Sequence, residues 1–142
     1  MSKEHSSKPI LHDPIFLSLP SRPATKSDLP LARDLADTLM AHADHCIGLA
    51  ANMIGASVCI LAVMDDAKIL VMMNPEIVKH SAKSYHTEEG CLSLAGVREV
   101  ERYASVTVRY RDEHFKKQRG TVSGITAQAI QHEMDHFAGR LV

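Results

Sequence analysis

His132-Glu133-Met134-Asp135-His136 carries two imidazoles four residues apart. On a helix that spacing sets both rings on one face, about one turn apart, within reach of a single metal ion. Glu133, one position on, would lie beside such an ion without ligating it, which is the place of the general base in zinc hydrolases. Ile125, Ala129, His132 and His136 share one face of this predicted helix, and Ile130, Met134, Phe137 and Leu141 share another. The second, wholly apolar stripe is predicted to bury the helix, which leaves the first looking into a pocket. The plainer alternative is a solvated face that happens to carry two histidines.

A catalytic ion needs a third protein ligand, and Cys91 is the first candidate. It lies in Glu89-Gly90-Cys91-Leu92-Ser93, where Gly90 allows close backbone approach and neighbouring N–H groups can face a bound group. A thiolate with two imidazoles leaves one tetrahedral position open, the layout of a catalytic site. The other reading of Cys91 is a small buried apolar residue. His42, His45 and Cys46 form a competing group at helical spacing, but no carboxylate base adjoins it. Histidines also collect at helix ends because of the dipole. Cys59 reads as core; His5, His12, His80, His86 and His114 read as solvated.

The elements that must hold these residues follow from periodicity. Residues 1–30 are rich in Ser, Pro and His without a sustained period, an extended arm pinned by Ile10-Leu11 and Ile15-Phe16-Leu17. Asp28 is the predicted cap of a helix with Pro30 in its first turn and Leu31, Leu35 and Leu39 on one face, running to about His45. The apolar runs 58–63 and 69–73 flank Asp65-Asp66 as a hairpin, the second strand ending at Asn74-Pro75. Residues 81–89 read as a polar loop. Residues 97–110 read as partly alternating strand, turned by Arg111-Asp112-Glu113 towards Thr121-Val122. Ser123 is predicted to cap the last helix and Gly139 to end it. Helix, antiparallel strands and C-terminal metal helix make one α+β domain over residues 1–142.

Composition narrows the function classes. With 142 residues, 45% hydrophobic and 23% charged, the chain reads as one ordinary globular domain. Sixteen Lys and Arg against 17 Asp and Glu leave a net charge of −1 and no basic stripe, so nucleic acid is not an expected partner. No apolar run approaches the ~18–20 residues of a membrane span, and the first residues lack the apolar core of a secretory signal. Three cysteines, an odd number, argue against a disulfide framework and for a reducing, cytoplasmic setting.

Three motifs together resemble the peptide deformylases: Cys46-Ile47-Gly48-Leu49-Ala50-Ala51-Asn52-Met53-Ile54-Gly55, Glu89 to Ser93, and His132 to His136 with Gln131 before and Gly139 after. Their order and spacing fit from about Pro9 to Val142. The resemblance implies that Cys91, His132 and His136 hold one divalent ion, most often Fe²⁺ in this family, with Zn²⁺ or Ni²⁺ as alternatives. It implies hydrolysis of the N-formyl group from formyl-methionyl peptides, or of a related N-acyl group. Glu133 would shuttle the proton and the Leu92 N–H would hold the oxyanion. Glu89 and Arg102 would support the ligands. Ile47, Gly48, Met53, Gly90, Arg98, Ile125, Gln128 and Ala129 would contact the peptide. The protein would act as a monomer or homodimer.

The chain departs from the family pattern at Met53, where a glutamine usually donates to the oxyanion; a thioether cannot donate. Losing one such donor lowers rates on the order of 10²–10³. Cys46 replaces a usual glycine and Ala95 a frequent proline, while Gln128 and Thr87 make the side-chain pocket more polar. The expectation is a hydrolase of reduced or altered activity. The alternative is a weak or inactive relative that binds formylated peptides, another ligand or a protein partner.

Overall fold

A computed structural model describes residues 7–142; His5 and the first six residues of the predicted arm lie outside them. The elements run α1 (Pro14–Leu17), α2 (Leu29–Ala41), β1 (Gly48–Ala50), β2 (Ile60–Asp65), β3 (Lys68–His80), β4 (Ser84–Cys91), β5 (Leu94–Tyr103), β6 (Ser105–Arg111), β7 (Lys117–Ser123) and α3 (Gly124–Phe137), with single 3₁₀ turns at Lys26–Asp28 and Ala51–Ile54. The α+β reading holds. Five antiparallel strands form one sheet in the order β1-β2-β3-β6-β7, and β4 with β5 forms a separate hairpin.

The sheet is covered on both faces. Successive residues of β2 point to opposite sides: Ile60 and Ala62 pack with Leu35 and Leu39 of α2, while Leu61 and Val63 pack with Ala127 and Ile130 of α3. This double burial is why 58–63 is an apolar run rather than an alternating one. Ile130 is fully buried, which stabilises the helix by roughly 1.5–3 kcal/mol. Of the predicted second stripe, Met134 and Phe137 are partly buried, whereas Leu141 lies beyond the helix end and is exposed.

Several elements differ from the sequence reading. The arm is not wholly extended: α1 interrupts it, with the Asp13 side chain accepting from Ile15 N–H. Helix α2 stops at Ala41 because Ala43, Asp44 and His45 are exposed and offer nothing apolar to hold another turn. Asp28 stands at its N-cap, but the carboxylate is taken by Arg22 and the Thr25 N–H. Strand β3 runs through Asn74-Pro75. Asn74 adopts φ +53° and its amide clasps Ala24 N–H and C=O at 2.7 and 2.9 Å. The register shifts between Met73 and Glu76, so Pro75 sits in an irregularity that asks no ladder bond of it. Residues 84–91 are strand, not loop. Their less exposed positions, half-buried Tyr85, Thr87 and Cys91 and buried Glu89, do alternate, but mostly in polar residues that a search for apolar periodicity passes over.

No helix among the described residues is long and apolar enough to cross a membrane.

Candidate active site

The β4–β5 hairpin and the last helix meet at the site. The β4–β5 hairpin closes with Cys91 paired to Leu94, so Leu92 and Ser93 form its turn and Cys91 stands at the strand end. Helix α3 presents His132 and His136 towards it, with ring centroids 5.1 Å apart. Cys91 Sγ lies 3.6 Å from His136 Nε2. One ligand atom from each of Cys91, His132 and His136 falls within 4.8 Å of the others. Both histidines are buried and Cys91 is half-buried.

The charges around these atoms suit a cation. Burial works against a His132 imidazolium, but the hydrogen bonds to Cys91 and Glu89 and the Glu133 charge outweigh it, raising His132 to about 10. Positive charge is therefore favoured where an ion would sit. His132 Nδ1 is engaged by Glu89 Oε1 at 2.7 Å, which leaves Nε2 for the ion. Burial and the positive charges of His132 and Arg102 lower His136 to about 4, so its ring is a neutral donor. Its Nδ1 is buried without a hydrogen-bond partner, as is Glu133 Oε1. Burial drives Glu133 up to about 7, with the Glu89 and Asp135 charges adding to the rise. A carboxyl at that value both takes and returns a proton near neutral pH. The donor set of one sulfur and two imidazoles fits Zn²⁺, Fe²⁺ or Ni²⁺.

Glu89 anchors the frame. Arg102 Nε and Nη2 donate to its two oxygens at 3.0 and 2.6 Å, and Arg102 Nη1 reaches Asp135 Oδ2 at 2.8 Å. Burial opposes the Glu89 charge, but His132, Arg102 and Gln128 overcome it and hold the carboxyl at about 2. Asn52 adds a brace from the first motif: its Nδ2 donates to His136 C=O at 3.2 Å. Gln131 clasps Tyr103 N–H and C=O, fastening α3 to the end of β5.

A cleft of about 670 Å³ opens over the cluster. Of the expected contacts, Ile47, Gly48, Met53, Gly90, Leu92, Ile125, Gln128 and Ala129 all line it. Arg98 does not; its Nη1 turns to Ala95 C=O at 3.2 Å. The glycine of close approach is Gly48 rather than Gly90, where a Cβ would meet only ordinary contacts. Met53 is buried to 1% exposure, and the Ala50 N–H points at its Sδ at 3.4 Å. The competing group does not assemble: His42 Nδ1 bonds Thr38 C=O, and Cys46 forms cleft wall. Burial and the Glu133 charge push the Cys46 thiol up to about 11, so it is a neutral wall. Cys59 is half-buried, its thiol on Ser21 C=O. Tyr85 carries no signal in the sequence; Asn52 and Asp135 lie within the first and third motifs and Gln131 beside the third, but the motifs alone give none of them a partner.

A family model described as polypeptide deformylase matches residues 8–142. A peptide deformylase of Clostridium beijerinckii is 49% identical over 135 residues, covering 95% of this chain and 98% of its own. Two solved structures of a class I type b peptide deformylase from Acinetobacter baumannii also match. The one bound to Met-Ala-Ser has a TM-score of 0.85 at 26% identity, covering 97% of each chain. The one bound to actinonin has a TM-score of 0.83 at 29% identity, covering 95% of this chain and 94% of that one.

Proposed function

The chain belongs to the polypeptide deformylase family, metal-dependent hydrolases of the N-formyl group of peptides, and from that premise we propose which of its residues do the work. Cys91, His132 and His136 hold one divalent ion, with Fe²⁺ as the resident metal and Zn²⁺ or Ni²⁺ able to replace it. The observation that carries this reading is the three ligand atoms within 4.8 Å of one another, beside a buried carboxyl. When bound, the ion acidifies water and polarises the formyl carbonyl.

The chain's own groups do the rest. Glu133 takes a proton as water adds to the formyl carbon. It returns that proton to the amide nitrogen as the C–N bond breaks, giving formate and a free amine. The Leu92 N–H donates to the oxygen on which negative charge develops. Met53 offers no second donor there. Glu89 and Arg102 keep His132 aimed. Ile47, Ile125 and Ala129 bound the space for the first side chain, with Gly48 and Gly90 beside the peptide backbone. Arg98 has no part in this reading.

The substrate is an N-formylated peptide, and the Met-Ala-Ser bound to the Acinetobacter baumannii relative supports a linear peptide in this cleft. The alternative of a binding-only relative is not favoured by these likenesses. We assign the protein to the cytoplasm, as one domain acting alone or as a homodimer without nucleic acid or membrane. Three free cysteines support that compartment. The test is anaerobic purification, metal analysis and formate release by Fe²⁺-, Zn²⁺- and Ni²⁺-loaded protein. One ion per chain, lost in Cys91→Ala and His132→Ala, is expected; an ion retained in both variants would overturn the ligand assignment.

A further inference from the structure

Gln128 lies one turn before His132, and an amide there should make the side-chain pocket polar. Instead its polar atoms are turned into the protein. Nε2 donates to Glu89 Oε2 at 2.8 Å, and Oε1 accepts from the Tyr85 hydroxyl at 3.2 Å. The other oxygen of the same carboxylate holds His132 Nδ1 at 2.7 Å. Tyr85 on β4, Gln128 on α3, Glu89 on β4 and His132 on α3 thus form one continuous hydrogen-bonded chain that stitches the hairpin to the helix.

We infer that Gln128 is a positioning residue for the metal ligand His132, acting through Glu89, with Tyr85 fixing the amide. This rests on the assignment of His132 as a ligand made above. Arg102 grips both oxygens of Glu89 and sets its plane, and His132 is a second donor on Oε1. Gln128 supplies the second donor on Oε2. Replacing it with an apolar side chain would leave a buried anionic oxygen short of a donor, and such an oxygen shifts to find another. The imidazole hydrogen-bonded to that carboxylate moves with it. Outer partners of this kind change metal retention by about 10–100-fold. The same fixed amide keeps its dipole away from the cleft, so the wall that Gln128 gives to substrate is largely its methylene stem.

The test uses the whole protein loaded with Co²⁺, read by the thiolate-to-cobalt absorption as a chelator removes the ion. Gln128→Leu is expected to release cobalt on the order of 10-fold faster than wild type, and Tyr85→Phe to shift it less, in the same direction. In kinetics, kcat for a formyl-Met peptide falls in both while KM does not rise. Cobalt release within two-fold of wild type in both variants, with any change confined to KM, would overturn the inference and leave Gln128 as cleft wall alone. If Gln128→Leu fails to fold, Tyr85→Phe decides by the same readout. A wild-type chain that binds no cobalt would overturn the ligand assignment itself, a different result.

Discussion

Gly48 and Glu133 face each other so closely that a Cβ at position 48 would stand 2.9 Å from Glu133 Oε2 and 3.3 Å from its Cγ. Gly48 begins β1 and Glu133 sits in α3, so the missing side chain is what lets the carboxyl lie against the sheet edge. Oε2 is the end of a side chain and can swing aside, so Gly48→Ala should fold. The carboxyl then loses its aim. A displacement near 1 Å costs about 10²-fold in rate, and kcat is expected to fall by that order while thermal stability changes little. Steady-state kinetics beside thermal unfolding checks it; an unfolded variant, or one with unchanged kcat, would contradict it.

Met53 sits where a donor to the oxyanion would be useful, yet its sulfur receives the Ala50 N–H and its side chain is sealed from solvent. In Met53→Gln the new Oε1 can take over the Ala50 bond, leaving the amide N–H groups for the cleft. One added donor is worth up to 10²–10³ in rate, so kcat should rise, with little change in metal content. A fall in kcat in a stable, loaded variant would mean that the oxyanion is held elsewhere and that the sulfur matters for packing.

Asp28 accepts from Arg22 through both oxygens at 3.0 Å and from the Thr25 N–H at 2.8 Å. The Arg22 guanidinium is the main reason its carboxyl is held below the usual value. For a depressed carboxyl the stabilisation is present above the unfolded-state value, near pH 4, and is lost as pH falls through the folded value. Asp28→Asn is therefore expected to unfold at a lower temperature at pH 7 and to converge with wild type below about pH 4. Parallel melting curves across pH, with no convergence, would show that the pair contributes nothing by charge.

Gly139 ends α3 at φ +79°, and a Cβ there would collide with the Ser18 backbone carbonyl. The same contact region is tied by Ser21 N–H to Phe137 C=O at 2.8 Å. Left-handed strain alone costs about 1–3 kcal/mol, and backbone cannot yield as a side chain does. Gly139→Ala should lower stability by at least that amount in denaturant titration, and a neutral result would mean that residues 18–21 can detach from the helix end freely.

The last helix and the α2 face are legible in the sequence because both are written in strong periods: imidazoles at four-residue spacing and leucines at 31, 35 and 39. The 60–73 hairpin is legible too, since Asp65-Asp66 interrupts two apolar runs. Strand β4 is not legible, because its alternating less exposed residues Tyr85, Thr87 and Glu89 are polar; Tyr85 and Glu89 bond to Gln128 and His132 of the last helix rather than filling the core. Pro75 argued for a strand end, and only the Asn74 clasp on Ala24 explains how the strand continues past it. Partners that meet across the chain, such as Asn52 with His136 and Tyr85 with Gln128, leave no local signal at all.

In the proposed reaction Glu133 moves the proton while Cys91, His132 and His136 hold the ion. The most direct measurement is formate release from formyl-Met-Ala-Ser by anaerobically loaded protein, wild type beside Glu133→Gln, with metal content measured on the same samples. Glu133→Gln is expected to keep its ion and to lose turnover by about 10²–10⁴-fold or more. A loaded Glu133→Gln that releases formate within ten-fold of wild type would contradict the assignment.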